Sequence, residues 1–278
     1  MKRTISAEVG KGSVNHNSRK FRAENVDGSR THLNIDYCNE RIQTVYHQLF
    51  DEALKRYNEK QTRADRRIPN YYEKIRSNQE KPFHEIILQI GNKEDMSATG
   101  EYAELARTVL DEYYRGFQER NSNLRVFSAH LHMDEATPHL HIDFVPFTTG
   151  SKRGLDTRVS LKQALAAQGF KGGTRGATEW AQWVQSEKEQ LAAVMERYDI
   201  QREQKGTHEK HLSVLDYKKQ EREKEIAALD TTLAEKQDEL ETVQNRITNF
   251  DQGVQSIEKL EKRKQTQRTR RRNTNYKR

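Results

Sequence analysis

Ala129 to Phe147 reads "AHLHMDEATPHLHIDFVPF", and it holds four of the chain's ten histidines between His130 and His141. A β-strand turns successive side chains to opposite faces. His139 and His141 therefore share one face of the second half, while Leu140, Ile142 and Phe144 point into a core. The run before it, "LRVFSAHLH" (124–132), also reads as a strand, with His130 and His132 on a common face. The six residues "MDEATP" suit a connection that lays the two strands side by side. This predicts His132, His139 and His141 on one face of a sheet, close enough to share an ion. Imidazole is the commonest neutral metal ligand near pH 7, and three of them leave coordination positions open, as a catalytic site requires. The spacing does not name a reaction. Zinc hydrolases and oxygenases also use histidine clusters, and Asp134 is a candidate for the carboxylate that an oxygenase triad needs.

Outward from this stretch, "FHEIILQI" (83–90) is a further strand. Tyr102, Leu105, Val109, Leu110, Tyr113 and Phe117 recur at helical spacing, so an amphipathic helix packs on the sheet. Another helix is predicted from Asp36 to Tyr57. "LKQALAAQ" and "ATEWAQWVQSEKEQLAAVMERY" are helix-like and are separated by the glycines of "GFKGGTRG". From Leu212 the rhythm becomes a heptad. Leu212, Leu215, Ile226, Leu229, Leu233, Leu240, Val243, Ile247, Phe250, Val254 and Ile257 fit alternating steps of three and four. A narrow apolar stripe among Glu, Lys and Gln is the pattern of a coiled coil, and its expected partner is a second copy.

Of the 278 residues, 33% are hydrophobic and 33% charged, too polar for one globule of this size. The expectation is a folded domain over 1–205, a coiled-coil dimerisation region over 206–261 and a disordered basic tail over 262–278. The tail holds nine Lys or Arg and no acid, so the net charge of +7 leaves residues 1–261 at −2. Such a run attracts phosphates and, equally, an acidic membrane surface. Cys38 is the only cysteine, which excludes an internal disulfide and a cysteine zinc site. No apolar run suits a signal peptide or a membrane span, so the default compartment is the cytoplasm, with at most peripheral membrane contact.

The string from His132 to His141 resembles the H-x-D-E-x-x-P-H-x-H signature of the MobV (Pre/Mob) plasmid mobilisation relaxases, within the HUH endonuclease superfamily. "NHNSR" (15–19) matches that family's H-N-x-R motif, and "SRTHLN" (29–34) is similar to a further element. The resemblance implies an α+β fold: an HUH-type antiparallel sheet flanked by helices, followed by a long C-terminal coiled-coil helix. It implies His132, His139 and His141 as ligands of one divalent ion. Manganese is favoured and magnesium is the alternative, a poorer match because it prefers oxygen ligands; zinc would be a tight non-native occupant. It also implies a site- and strand-specific nick at an origin of transfer, with the protein left joined to the 5′ phosphate, and conjugative mobilisation as the outcome. Partners are then single-stranded and supercoiled origin DNA, a second copy of the chain, and a coupling protein.

The nucleophile implied by H-N-x-R is His16, which would form a phosphoramidate. Glu135 would orient and deprotonate it, and Arg19 would stabilise the phosphate or the leaving oxygen. Tyr37 and Tyr46 are the alternative nucleophiles. A rolling-circle replication initiator or a site-specific plasmid recombination protein would share this chemistry. The remaining rival is a non-enzymatic DNA-binding dimer with a structural metal.

Overall fold

The computed structural model describes residues 1–174, 176–204 and 214–275. The heptad residue Leu212, the side chain of Leu215 and residues 276–278 of the basic run lie outside that description. The chain divides into two units, Met1–Gly206 and Thr207–Arg278, described separately below.

In chain order the first unit contains β1 (Lys2–Arg3), β2 (Ile5–Val9), α1 (Val14–Asn17), β3 (Ile35–Asn39), α2 (Ile42–Glu59), α3 (Tyr71–Ser77) and β4 (His84–Ile90). It continues with α4 (Ala103–Arg115), α5 (Phe117–Arg120), β5 (Leu124–His132), β6 (His139–Thr148), β7 (Arg158–Val159), α6 (Leu161–Ala167), α7 (Glu179–Glu196) and β8 (Gln201–Arg202). The main sheet runs in the order β2-β4-β6-β5-β3, every pair antiparallel, with β7 extending β6. The helix predicted from Asp36 to Tyr57 is corrected at its start. Ile35–Asn39 is strand β3, paired to β5, and the helix begins only at Ile42. A five-residue strand with a bulge between Asp36 and Cys38 has no regular alternation to betray it. The helix predicted through Phe117 breaks at Gly116 into α4 and α5.

Two apolar cores lie on the two faces of the sheet. On one face Leu88, Leu131, Leu140, Ile142 and Phe144 meet Val109, Leu110, Tyr113 and Trp183 of α4 and α7. On the other, Phe127 and Val145 meet Val45, Tyr46 and Phe50 of α2 and Tyr71 and Ile75 of α3. A bulge at Phe127 interrupts the alternation of β5 and sends that one side chain to the second core. Before it, the even residues Leu124 and Val126 face α4; after it, the odd residues Ala129, Leu131 and Met133 do. The extra residue thus reverses the parity of the strand. It turns Ser128, His130 and His132 to the same face as His139, His141 and Asp143.

Behind the sheet, α7 is held by a buried polar knot. Trp183 Nε1 donates to Asn121 Oδ1 (2.7 Å), Asn121 Nδ2 to Glu187 Oε1 (2.9 Å), and the Tyr113 hydroxyl to Glu187 Oε2 (2.5 Å).

In the second unit α8 spans Val214–Asn275, 62 residues, roughly 90 Å at helical rise. It continues through Lys262, where a disordered tail was expected. Glutamine, lysine and arginine are good helix formers, and no glycine or proline interrupts this run. The large apolar side chains from Ile226 to Ile257 that were read as heptad positions are all exposed. Among the described residues no helix is long and apolar enough to cross a membrane.

Replacing Glu187 by alanine would strand the buried Tyr113 and Asn121 donors. The Glu187→Ala variant is expected to lose about 3 kcal/mol of stability. Chemical denaturation followed by tryptophan fluorescence checks this, and an unshifted midpoint would contradict it.

Candidate functional site

The pairing of β5 with β6 sets His132 opposite His139 and His130 opposite His141. One ring nitrogen of each of His132, His139 and His141 lies within 4.8 Å of the other two. All three residues are buried. The remaining nitrogen of each ring fixes its tautomer. His132 Nε2 donates to the Asn17 carbonyl (2.8 Å) and His139 Nδ1 to the Thr137 carbonyl (2.8 Å). His141 Nδ1 donates to Glu85 Oε1 (2.6 Å). A carbonyl can only accept, so the proton must sit on the outward nitrogen and the lone pair on the inward one. His132 Nδ1 and His141 Nε2 are buried and have no hydrogen-bond partner among the described residues. Burial and the neighbouring His141 and His139 push the His132 imidazole far below its ordinary value. Burial takes His141 down to about 4, with Glu85 opposing the shift. Neutral imidazoles aiming unshared lone pairs at one point, each backed by an outer acceptor, are the donor set of a metal centre.

His130, the fourth histidine of the stretch, stays out of this set. Its Nδ1 bonds Asp36 (2.6 Å) and its Nε2 lies 3.2 Å from the Ser128 hydroxyl. Asp134 falls in a second group, with His132 and Glu135, whose ligand atoms lie within 4.8 Å of one another, but it is heavily engaged by its neighbours. Its carboxylate accepts from Arg19 Nε (2.9 Å) and Nη2, and from the Thr31 hydroxyl (2.9 Å).

His16 lies on α1, with its ring centroid 6.1 Å from that of His132 and 6.2 Å from that of His141. Its Nε2 is 3.3 Å from Glu135 Oε1 and 3.4 Å from Arg19 Nη1. The same Glu135 oxygen is 3.8 Å from His139 Nε2 and 3.9 Å from His132 Nδ1, so this carboxylate joins the two histidine groups. Burial would raise Glu135, but the hydrogen bond from His16 and the charges around it hold it at about 2. Arg19, expected on a phosphate, is committed to Asp134 and to Glu135 (Nη2–Oε1, 2.9 Å). Its backbone is left-handed (φ 55°), a conformation a non-glycine residue adopts at a cost. The segment "SRTHLN" pins the opposite side of the loop. Arg30 donates to the carbonyls of Met133 (2.8 Å) and Glu135 (3.1 Å), and Asn34 Oδ1 accepts from the Met133 amide (2.7 Å).

The two tyrosines weighed as nucleophiles are engaged elsewhere. Tyr37 donates to Asp111 (2.9 Å) and stacks on Tyr114; Tyr46 donates to the Pro82 carbonyl (2.7 Å) within the core under α2. Burial first, and a neighbouring carboxylate at Tyr37, raise both phenols.

Three residues that sequence reasoning passed over support the cluster from behind. Asn17 gives its carbonyl to His132, and its Nδ2 donates to Glu85 Oε1 (2.7 Å) and Asp143 Oδ2 (3.0 Å). Glu85 Oε2 also accepts from the Gly12 amide (2.7 Å). Burial would raise Glu85, yet its bonds from His141, Gly12 and Asn17 hold it down, while burial and that adjacent charge push Asp143 up. The available signal was a carboxylate within each of two apolar strands, "FHEIILQI" and "HLHIDFVPF", with Asp143 on the same alternation as His139 and His141.

Comparison with known proteins gives a consistent group of relatives. A plasmid recombination enzyme of Lactiplantibacillus plantarum is 29% identical over 210 residues, 74% of this chain and 49% of that protein. A plasmid recombination enzyme type 3 of Staphylococcus aureus is 29% identical over 157 residues, 55% of this chain and 33% of that protein. The chain thus spans half the length of these curated relatives or less. The MobM relaxase domain, in a Mn-bound crystal structure with plasmid pMV158 oriT DNA, has 22% identity over 78% of this chain and 98% of that one, with a TM-score of 0.45. The family model described as plasmid recombination enzyme (Mob_Pre) matches residues 12–219, and the chain belongs to that family.

Proposed function

We propose that this chain is a metal-dependent DNA relaxase. It would nick one strand at an origin of transfer, stay joined to the 5′ phosphate through His16, and so start plasmid mobilisation. The observation that carries this reading is the meeting of His16 with the three-imidazole cluster across Glu135. A structural ion alone would need no fourth imidazole at that distance.

His132, His139 and His141 would hold one divalent ion, which when bound would polarise a phosphodiester and offset the charge that builds on its non-bridging oxygens. Manganese suits three nitrogen donors with open positions better than magnesium does. Glu135, ionised and 3.3 Å from His16 Nε2, accepts a hydrogen bond from the imidazole N–H and fixes the ring's orientation. The ring nitrogen without a proton keeps its lone pair and attacks phosphorus. A nitrogen–phosphorus bond forms as the bond from phosphorus to the 3′ oxygen breaks; that oxygen takes a proton from water and leaves as a hydroxyl, and the hydroxide so formed is neutralised by the N–H proton that the phosphorylated imidazolium releases. The low basicity of Glu135 makes it an orienting group more than a proton-abstracting one. Arg19 acts as a positioning residue through Asp134 and Glu135. Asn17 and Glu85 position His132 and His141.

A second reading is favoured by the relatives' names: the same strand transfer would serve site-specific plasmid recombination. The heptad stripe of α8 would pair with a second copy, placing two nuclease units on one DNA. The basic run at its end would add sequence-independent affinity that falls with salt.

With a supercoiled plasmid carrying the cognate origin and manganese, nicked circles bearing covalent protein are expected. His16→Ala should reduce nicking by on the order of 10⁴-fold or more while manganese and DNA still bind. The adduct should be acid-labile, as phosphoramidates are; an acid-stable adduct would assign the nucleophile to a hydroxyl. Glu85→Gln keeps the shape of the side chain but removes the charge behind His141. Calorimetric titration should show manganese affinity falling by about 10- to 100-fold, and unchanged affinity would remove Glu85 from the metal site. Sedimentation equilibrium of the full chain should give a dimer, and the double variant Leu233→Glu, Leu240→Glu a monomer. A wild-type monomer would exclude pairing through α8.

A further inference from the structure

Among the described residues of 1–206, one Phe, Tyr or Trp is exposed: Phe21, at 60%. It follows the nucleophile helix by four residues and is held in place. The Ser18 amide donates to the Val14 carbonyl (3.0 Å), the Arg19 amide to the His16 carbonyl (3.0 Å), and the Phe21 amide to the Asn15 carbonyl (2.9 Å). The arch that carries it is tied at both ends to one carboxylate. Arg19 Nη2 bonds Glu135 Oε1 (2.9 Å) and Asn25 Nδ2 bonds Glu135 Oε2 (2.6 Å). That carboxylate is the group facing His16. Phe21 therefore sits on a short, doubly anchored loop at the rim of the site. The side chains on either side of it, Lys20 and Arg22, are both exposed cations.

A ring left more than half exposed forgoes much of the burial that drives folding, so packing gives little reason to hold it there. An aromatic face between two cations matches a nucleobase between two phosphates. Stacking is sequence-tolerant because every base has a π-face, and the cations track the backbone. We propose that Phe21 is a stacking platform for an unpaired nucleobase beside the phosphodiester presented to His16, with Lys20 and Arg22 on the flanking phosphates. This rests on the reading of the site as a single-strand nuclease and extends it to the recognition of an adjoining base. Stacking would hold the strand locally unpaired and fix the position of the phosphate along it.

Binding to bases can be separated from binding to phosphates. The full-length chain is titrated with fluorescent dT12 and with a twelve-nucleotide chain of abasic residues carrying the same phosphates. Wild type should prefer dT12. Phe21→Ala should reduce that preference by roughly 5- to 100-fold without changing affinity for the abasic chain, and Phe21→Trp should restore it. Unchanged thermal unfolding of both variants excludes a folding defect. A preference unaltered by Phe21→Ala, or an equal loss on both chains, would overturn the proposal while leaving nicking of an origin plasmid to be judged by its own assay. The predicted preference without any nicking by wild type would instead overturn the relaxase reading and leave the stacking platform standing.

Discussion

The three outward hydrogen bonds of His132, His139 and His141 are the constraint on which the site depends. Each ring donates a proton to an acceptor behind it: the Asn17 carbonyl, the Thr137 carbonyl and Glu85 Oε1. The inward lone pairs then converge because the donors are fixed. Two of those acceptors come from elements far from the histidine stretch in sequence, α1 and β4. Asn17 is at once the neighbour of His16, the acceptor for His132 and a donor to Glu85. A displacement of α1 would thus disturb His16 and the supports of two of the clustered imidazoles together.

The sheet makes this arrangement available through one irregularity. Continuous alternation along β5 from Leu124 and Val126 would turn His130 and His132 into the core beneath α4 and α7. The bulge at Phe127 restores the parity, and the extra side chain fills the second core with Val145 and Phe50. Glu135 lies between the three-imidazole cluster and His16, and its two oxygens reach His16, Arg19 and Asn25. Arg19 accepts a left-handed backbone to close this network.

Much of the site was legible in the sequence, for a physical reason. His132, His139 and His141 follow from strand alternation across a short connection, and a period of two is hard to mistake. His16, Arg19 and Glu135 were reached by resemblance, and the fold brings all three together. The legible part ended where pairing is non-local. Strand β3 reads as helix because Ile35–Asn39 is short and bulged, and only its bonds to β5 define it. The engagement of Arg19 with Asp134 and the support from Glu85 and Asn17 join residues 56 to 126 positions apart, beyond any local pattern. The basic run was expected to be disordered from its charge, yet its helix-forming residues carry α8 on to Asn275.

The most direct test of three imidazoles on one cation is pulsed electron paramagnetic resonance of the protein loaded with one equivalent of Mn²⁺. Nitrogen-14 modulation from directly bound imidazoles should appear for the wild-type chain and be lost in the variant with His132, His139 and His141 all replaced by alanine. A manganese signal with water and oxygen couplings alone, the same in both proteins, would contradict the account.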